Sequence, residues 1–280
     1  MNIRMALIGG VLVLLTAAAG GGAWYCMQPT SGDSEGAAAG DEDLPIPPVP
    51  PRIAESPDYE RCLGMLATDP AGAASFATAW QGKDGGTAAA HCLALSMIAL
   101  GEPARGAEML ERVAGDWHVP PAARAVIYGQ AAQAWLMTGR AGDANRAAGL
   151  ALALSADDPD LLVEGAVAAA AAEHFQDAVD DLTRALALDG KRADAYTWRA
   201  SAWRHLGRLD QAEADIERAV AIDPDNPEAL LERGILRQRR DDRAGARTDW
   251  ERTIVLAPDT AAADLAQQNL ALLEAGPERK

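Results

Sequence analysis

The sequence predicts an all-α protein, a solenoid of helix-turn-helix units behind an apolar N-terminal helix. Three observations carry that reading. Apolar residues make up 49% of the 280 residues, with only 2 Phe and much of the rest alanine, the best helix former. Small, aromatic and aliphatic residues recur with a period of 34 residues. Within each unit the apolar positions fall at i, i+4 and i+7, which is helical spacing and not strand alternation.

Residues 193–226 show the unit most clearly. Tyr196, Ala200 and Trp203 share a stripe of one helix, and Ala212, Ile216, Ala219 and Val220 share a stripe of the next. Gly207 lies between them, and Pro224 stands just past the second, where a helix cannot easily continue. Four copies keep phase. A small residue recurs in the first helix (Ala132, Ala166, Ala200, Gly234) and an alanine opens the second (Ala144, Ala178, Ala212, Ala246). A larger side chain holds place at Tyr128, Leu162, Tyr196 and Leu230, and another at Leu154, Leu188, Ile222 and Leu256. A recurrent small residue lets helix backbones approach closely.

This pattern resembles the tetratricopeptide repeat family, whose helix-turn-helix unit is about 34 residues long. Tyr196, Ala200, Trp203, Ala212, Ile216, Ala219 and Pro224 occupy that family's motif places. Arg199 stands at a usual leucine, and Gly190 and Ala156 at a usual proline. The resemblance implies a right-handed α-solenoid that binds a protein or peptide and is not an enzyme.

In chain order, residues 5–27 are uncharged and long enough, at 23 residues, to cross a bilayer core of about 30 Å. Arg4 fits a cytoplasmic N-terminus, and Trp24 and Tyr25 the far interface. A cleaved signal is the alternative for 1–27, with a small-residue site at Ala17, Ala18 and Ala19. Both send the remainder across a membrane. Residues 28–57 read as an acidic, Pro-rich linker. Residues 58–124 hold two degenerate helix pairs. Four regular repeats fill 125–260, the phase slipping by four residues before them. A terminal capping helix and tail fill 261–280, since an end repeat needs a solvating face.

The net charge of −16 argues against nucleic acid, whose phosphates require a basic face. Low lysine, an acidic pI and Ala/Arg/Asp-rich usage suggest a bacterium. The expected place is therefore the inner membrane, single pass, with the repeats in the periplasm, or free periplasmic after signal cleavage. Membrane contact is expected through the N-terminal helix only.

Cys62 and Cys92 fall in the first helices of consecutive pairs, which lie side by side in a solenoid. In an oxidising compartment they suit a disulfide. No cysteine spacing or histidine cluster suggests a metal, and no cofactor is expected. His91, His118, His174 and His205 read as surface or groove residues. An accessory subunit of an envelope enzyme, or a hydrolase using His174 or His205, is the competing class, and a self-assembling solenoid joined through exposed apolar ends is a third. No Gly-rich phosphate loop or nucleophile elbow occurs in the right context.

The resemblance implies that the concave groove is lined by residues two, five, nine, twelve and thirteen of each first helix. That selects Gln133 and Met137 in the first regular repeat, and Val163 and Val167 in the second. It selects Thr197, Ser201, Arg204 and His205 in the third, and Ile235, Gln238 and Arg239 in the fourth. The Lys and Asn with which some members grip a peptide carboxylate terminus are missing at Gly129, Gln133, Val163 and Val167. An apolar peptide with an acidic group near Arg204 and Arg239 is the expected ligand.

Overall fold

The computed structural model describes residues 53–275. The apolar segment 5–27, most of the linker and the tail 276–280 lie outside the described residues. Among those described there are thirteen α-helices and no strand. No helix among them is long and apolar enough to cross a membrane.

The helices alternate as first and second members of six pairs, with one helix after them. The pairs are α1 (Pro57–Met65) with α2 (Pro70–Gln81), α3 (Gly86–Ala99) with α4 (Pro103–Ala114), and α5 (Pro121–Met137) with α6 (Ala141–Leu154). Then come α7 (Pro159–Ala171) with α8 (Phe175–Leu188), α9 (Ala193–His205) with α10 (Leu209–Ile222), and α11 (Pro227–Arg239) with α12 (Arg243–Leu256). The last is α13 (Ala261–Ala275). The four-residue phase slip is absorbed as an extra turn at the start of α5, which makes it the longest helix described.

Local chemistry sets the ends. Ser56 caps α1, its hydroxyl accepting from Tyr59 N–H, with Pro57 at the first position. Asp69, Asp158, Asn226 and Asp242 cap α2, α7, α11 and α12 in the same way. Within the regular repeats, each turn from first to second helix carries one left-handed residue. Gly139 (φ 72°), Glu173 (φ 63°), Gly207 (φ 75°) and Asp241 (φ 67°) succeed each other at the repeat period.

First helices of successive pairs pack on one another, α5 on α7, α7 on α9 and α9 on α11, whereas successive second helices barely meet. A stack whose first helices touch curves with those helices inside. The core runs between the two layers. Ala132, Ala166, Ala200, Ala144, Ala178, Ala212 and Ala246 are all buried. Gly234 serves a particular neighbour: a Cβ there would lie 2.3 Å from Trp250 Nε1. Trp250 is fully buried and its indole donates to Leu231 C=O at 3.2 Å. A large residue in the second helix thus demands the smallest one opposite it.

Cys62 and Cys92 are joined, with sulfurs 1.97 Å apart, and the bond ties α1 to α3. Both are fully buried.

Candidate functional site

The inner face is built by α5, α7, α9 and α11, and the structure divides the sequence-selected residues into three groups. Met137, Gln238 and Arg239 are exposed. Gln133, His205 and Ile235 are half-buried. Val163, Val167, Thr197, Ser201 and Arg204 are buried between neighbouring helices.

Arg204 corrects the expected ligand chemistry. Its guanidinium is 9% exposed and turns onto Glu232 of α11, which is 1% exposed. Nε and Nη2 donate to the two carboxylate oxygens, and Nη2 also donates to Ser201 Oγ at 3.1 Å. Two buried charges this close neutralise each other, and the fork geometry suits a carboxylate. Arg204 is therefore not a free cation for an acidic ligand. Arg239 remains exposed, with no ion-pair partner among the described residues.

The same inner layer holds a carboxyl that the family positions did not select. Glu164 of α7 leans onto α5. Gln133 Nε2 donates to its Oε1 at 2.6 Å. Its Oε2 stands where a Cβ on Gly129 would come within 2.5 Å, so the glycine makes room for it. Burial chiefly, then Asp160 and Asp158, push its pKa up to about 7, while Gln133 and Arg192 pull it down. Glu164 and Glu232 share one repeat phase with Gln130, all sixth in their units. That recurrence was visible in the sequence, but the family positions used to read the groove omit the sixth.

Gln130 closes a buried chain. Tyr59 O–H donates to His91 Nδ1 at 2.8 Å, and His91 Nε2–H donates to Gln130 Oε1 at 2.7 Å. His91 is fully buried, which corrects its reading as a surface or groove residue. Burial lowers the His91 pKa and raises that of Tyr59 to about 12, so the chain is neutral. The reason is local: α1 and α5 flank α3 on both sides, and the imidazole satisfies one partner on each.

The two histidines considered for catalysis are held differently. His174 Nδ1 meets Asn145 Nδ2 at 3.1 Å, with Asp177 4.0 Å away. His205 stacks on Phe175, ring centroids 4.3 Å apart, and burial with nearby Arg204 and Arg239 lowers its pKa to about 4. Among the described residues neither is hydrogen-bonded to a Ser, Thr or Cys side chain, which a hydrolytic pair would need. His118 pairs with Asp116 at 2.8 Å on the surface. No group of three or more His, Cys, Asp or Glu among the described residues is arranged to hold a metal ion.

A sequence model described as Tetratricopeptide repeat matches residues 163–227. No curated protein matches the chain. Among solved structures, the APC/C hetero-tetramer Cut9-Hcn1 superposes with a TM-score of 0.58 at 18% identity. That match covers 76% of this chain, which spans 42% of the other's length. Pseudomonas aeruginosa pilF gives a TM-score of 0.58 at 14% identity, covering 76% of this chain and 96% of that one. TTC0263, a thermophilic TPR protein of Thermus thermophilus, gives 0.54 at 18% identity, covering 66% and 100%. These likenesses concern the fold. The matched segment and these superpositions show that the helix pairs of this chain stack as those of tetratricopeptide-repeat structures do.

Proposed function

We propose that the chain is a non-catalytic, membrane-tethered scaffold that captures a peptide or a segment of a protein along its inner face. Repeats of this family generally mediate protein–protein interaction. The observation that carries the reading is the division of labour along α5 and α11, the first helices at the two ends of the regular array. One stripe is spent on packing, whereas Met137, Gln238 and Arg239 remain exposed on the inner layer. Met137 is 61% exposed, an adaptable apolar side chain of the kind used to grip peptides.

The uncharged segment 5–27 supplies the tether, as an uncleaved anchor or as a signal that is removed. The buried Cys62–Cys92 bond favours an oxidising compartment and so the extracytoplasmic side, which is the periplasm if the source is bacterial. Envelope-complex assembly or handling of exported proteins would suit such a scaffold. The ligand chemistry differs from the sequence expectation, because Arg204 already has its acid in Glu232.

A photoreactive phenylalanine analogue at Met137 or Gln238, compared with one at Ala153 or Ala221 on the second helices, tests the reading in cells. Crosslinks to one partner from the inner positions alone are expected. Crosslinks equally from both layers, or from neither, would overturn it.

A further inference from the structure

Two acids occupy one place in the repeat, and their surroundings differ. Glu232 meets Arg204. Glu164, two repeats earlier, meets Gln133 and no ion-pair partner among the described residues. The residue two repeats before Arg204 is Leu136, so α5 offers a side chain without charge where α9 offers a guanidinium. Glu164 Oε1 is bonded by Gln133. Its Oε2 lies over Gly129, and no hydrogen bond among the described residues reaches it. No fully buried side-chain oxygen among those residues is left without a partner, so Oε2 retains an open side. An apolar side chain closes the same spot: Leu161 Cδ2 lies 2.9 Å from the Cβ position over Gly129 that Oε2 approaches, and Leu161 is buried. A carboxylate in such surroundings interacts strongly with one opposite charge and resists a second acid.

Resting on the groove reading above, we infer that the inner face between α5 and α7 is a cation subsite. Glu164 Oε2 accepts from the lysine or arginine side chain of an extended peptide whose neighbouring apolar residues lie on Met137. The ligand's cation takes the role that Arg204 plays for Glu232. The titratable groups facing Glu164 are Asp158 and Asp160 at the start of α7 and Arg192 ahead of α9. Arg192 is held by Asp160 and Asp194. On α5, Gly129 and Gln133 add none. The remaining acids thus repel anionic ligands from the same place.

The test is selection of a displayed library of random nine-residue peptides against the full chain at pH 8, followed by affinities from fluorescence anisotropy. Enrichment of Lys or Arg at one position is expected. Glu164→Gln keeps the shape and the acceptor for Gln133, and should bind these peptides roughly tenfold more weakly, the scale of one charge-assisted contact. Leu136→Arg, which supplies an internal cation as Arg204 does, should lose the same preference while circular dichroism stays helical. Affinity for the wild type should fall between pH 8 and pH 6, and stay flat in Glu164→Gln. Selected peptides with no cation bias, or with equal affinity for both variants, would overturn the subsite and leave the groove reading standing. Failure to select any peptide that crosslinks to position 137 would overturn both.

Discussion

Arg199 of α9 and Asp215 of α10 form a two-point ion pair within one repeat, Nε and Nη2 donating at 2.7 and 2.8 Å to the two oxygens. One period later Arg233 and Asp249 do the same at 3.0 and 2.8 Å. One period earlier the acid is present as Asp181, but Gly165 stands where the arginine would be. Burial holds the Asp181 pKa above its ordinary value even though Arg184 pairs with it at 3.2 Å. Arg199 replaces the family's usual leucine, and the replacement is matched across the pair. Removing one partner leaves a mostly buried charge. Arg199→Leu is expected to destabilise by about 2–3 kcal/mol, and the double variant Arg199→Leu with Asp215→Leu by much less. Urea unfolding of the four proteins in the cycle measures this coupling, and additive costs would show that the pair does not act as a unit.

The absent arginine can be supplied. A Cβ at Gly165 would meet the end of Leu152 at 2.8 Å, a flexible contact, and Asp181 Oδ2 at 3.5 Å. Gly165→Arg adds helix propensity worth about 0.5–1 kcal/mol and gives Asp181 a second partner besides the half-exposed Arg184. The expected result is a higher midpoint in thermal unfolding by a few degrees. A lower midpoint would mean that Leu152 cannot move.

Glu173 and Asp241 hold left-handed backbone at the two turns where the repeat lacks glycine. A side chain there costs roughly 1 kcal/mol relative to Gly. Glu173→Gly and Asp241→Gly are each expected to stabilise by about 0.5–1 kcal/mol, and Gly207→Ala to destabilise by a similar amount. Opposite signs in chemical denaturation check the argument. A loss of stability in both glycine variants would show that the unfolded-state entropy outweighs the strain.

Much of this architecture was legible because repetition multiplies weak signals. A lone Ala200 means little, but Ala132, Ala166 and Gly234 in phase identify a close approach of backbones. The all-α solenoid follows from that. The Arg199–Asp215 pair was present in the sequence at a constant separation of 16, yet it looked like a departure, because a leucine was expected and its acid lies in the other helix. His91 was misread for a different reason. Its burial depends on Tyr59 and Gln130, 32 and 39 residues away, which no local spacing connects. For the inner face, a rule of positions points to the right helices but cannot say which side chains are already occupied. Arg204 and Glu164 exchange their expected importance once Glu232 and Gln133 are seen beside them.

Gly234 and Trp250 are matched in volume, and that match is testable apart from charge. With Trp250 Nε1 only 2.3 Å from an added Cβ, Gly234→Ala must push a fully buried indole away from Leu231 C=O. Gly234→Ala is expected to destabilise by about 1–3 kcal/mol despite its better helix propensity. Pairing it with Trp250→Leu should restore part of the loss, as Leu182 and Ile216 at the equivalent place pack against Ala166 and Ala200. Tryptophan fluorescence during unfolding reports the rearrangement directly.

Glu164 links the inner face to pH. Its carboxyl has an ordinary value of 4.5 and is raised to about 7 in the folded chain. The folded state therefore binds the proton more tightly than the unfolded one. That contribution is complete below about pH 4.5 and is lost as pH climbs through about 7. Across this window the chain should lose on the order of 2 kcal/mol from this group, discounted for the oxygen that stays open. His205 runs the other way: lowered to about 4, it favours the fold above its ordinary 6.5 and withdraws that support as pH falls towards 4. The two are separable by substitution. Glu164→Gln should flatten the loss between pH 4.5 and 7 while leaving the acid limb set by His205. His205→Asn should do the reverse. Urea midpoints taken at half-unit steps from pH 4 to 8 decide it, and a Glu164→Gln profile parallel to the wild type would show that this carboxyl ionises as freely as a surface one.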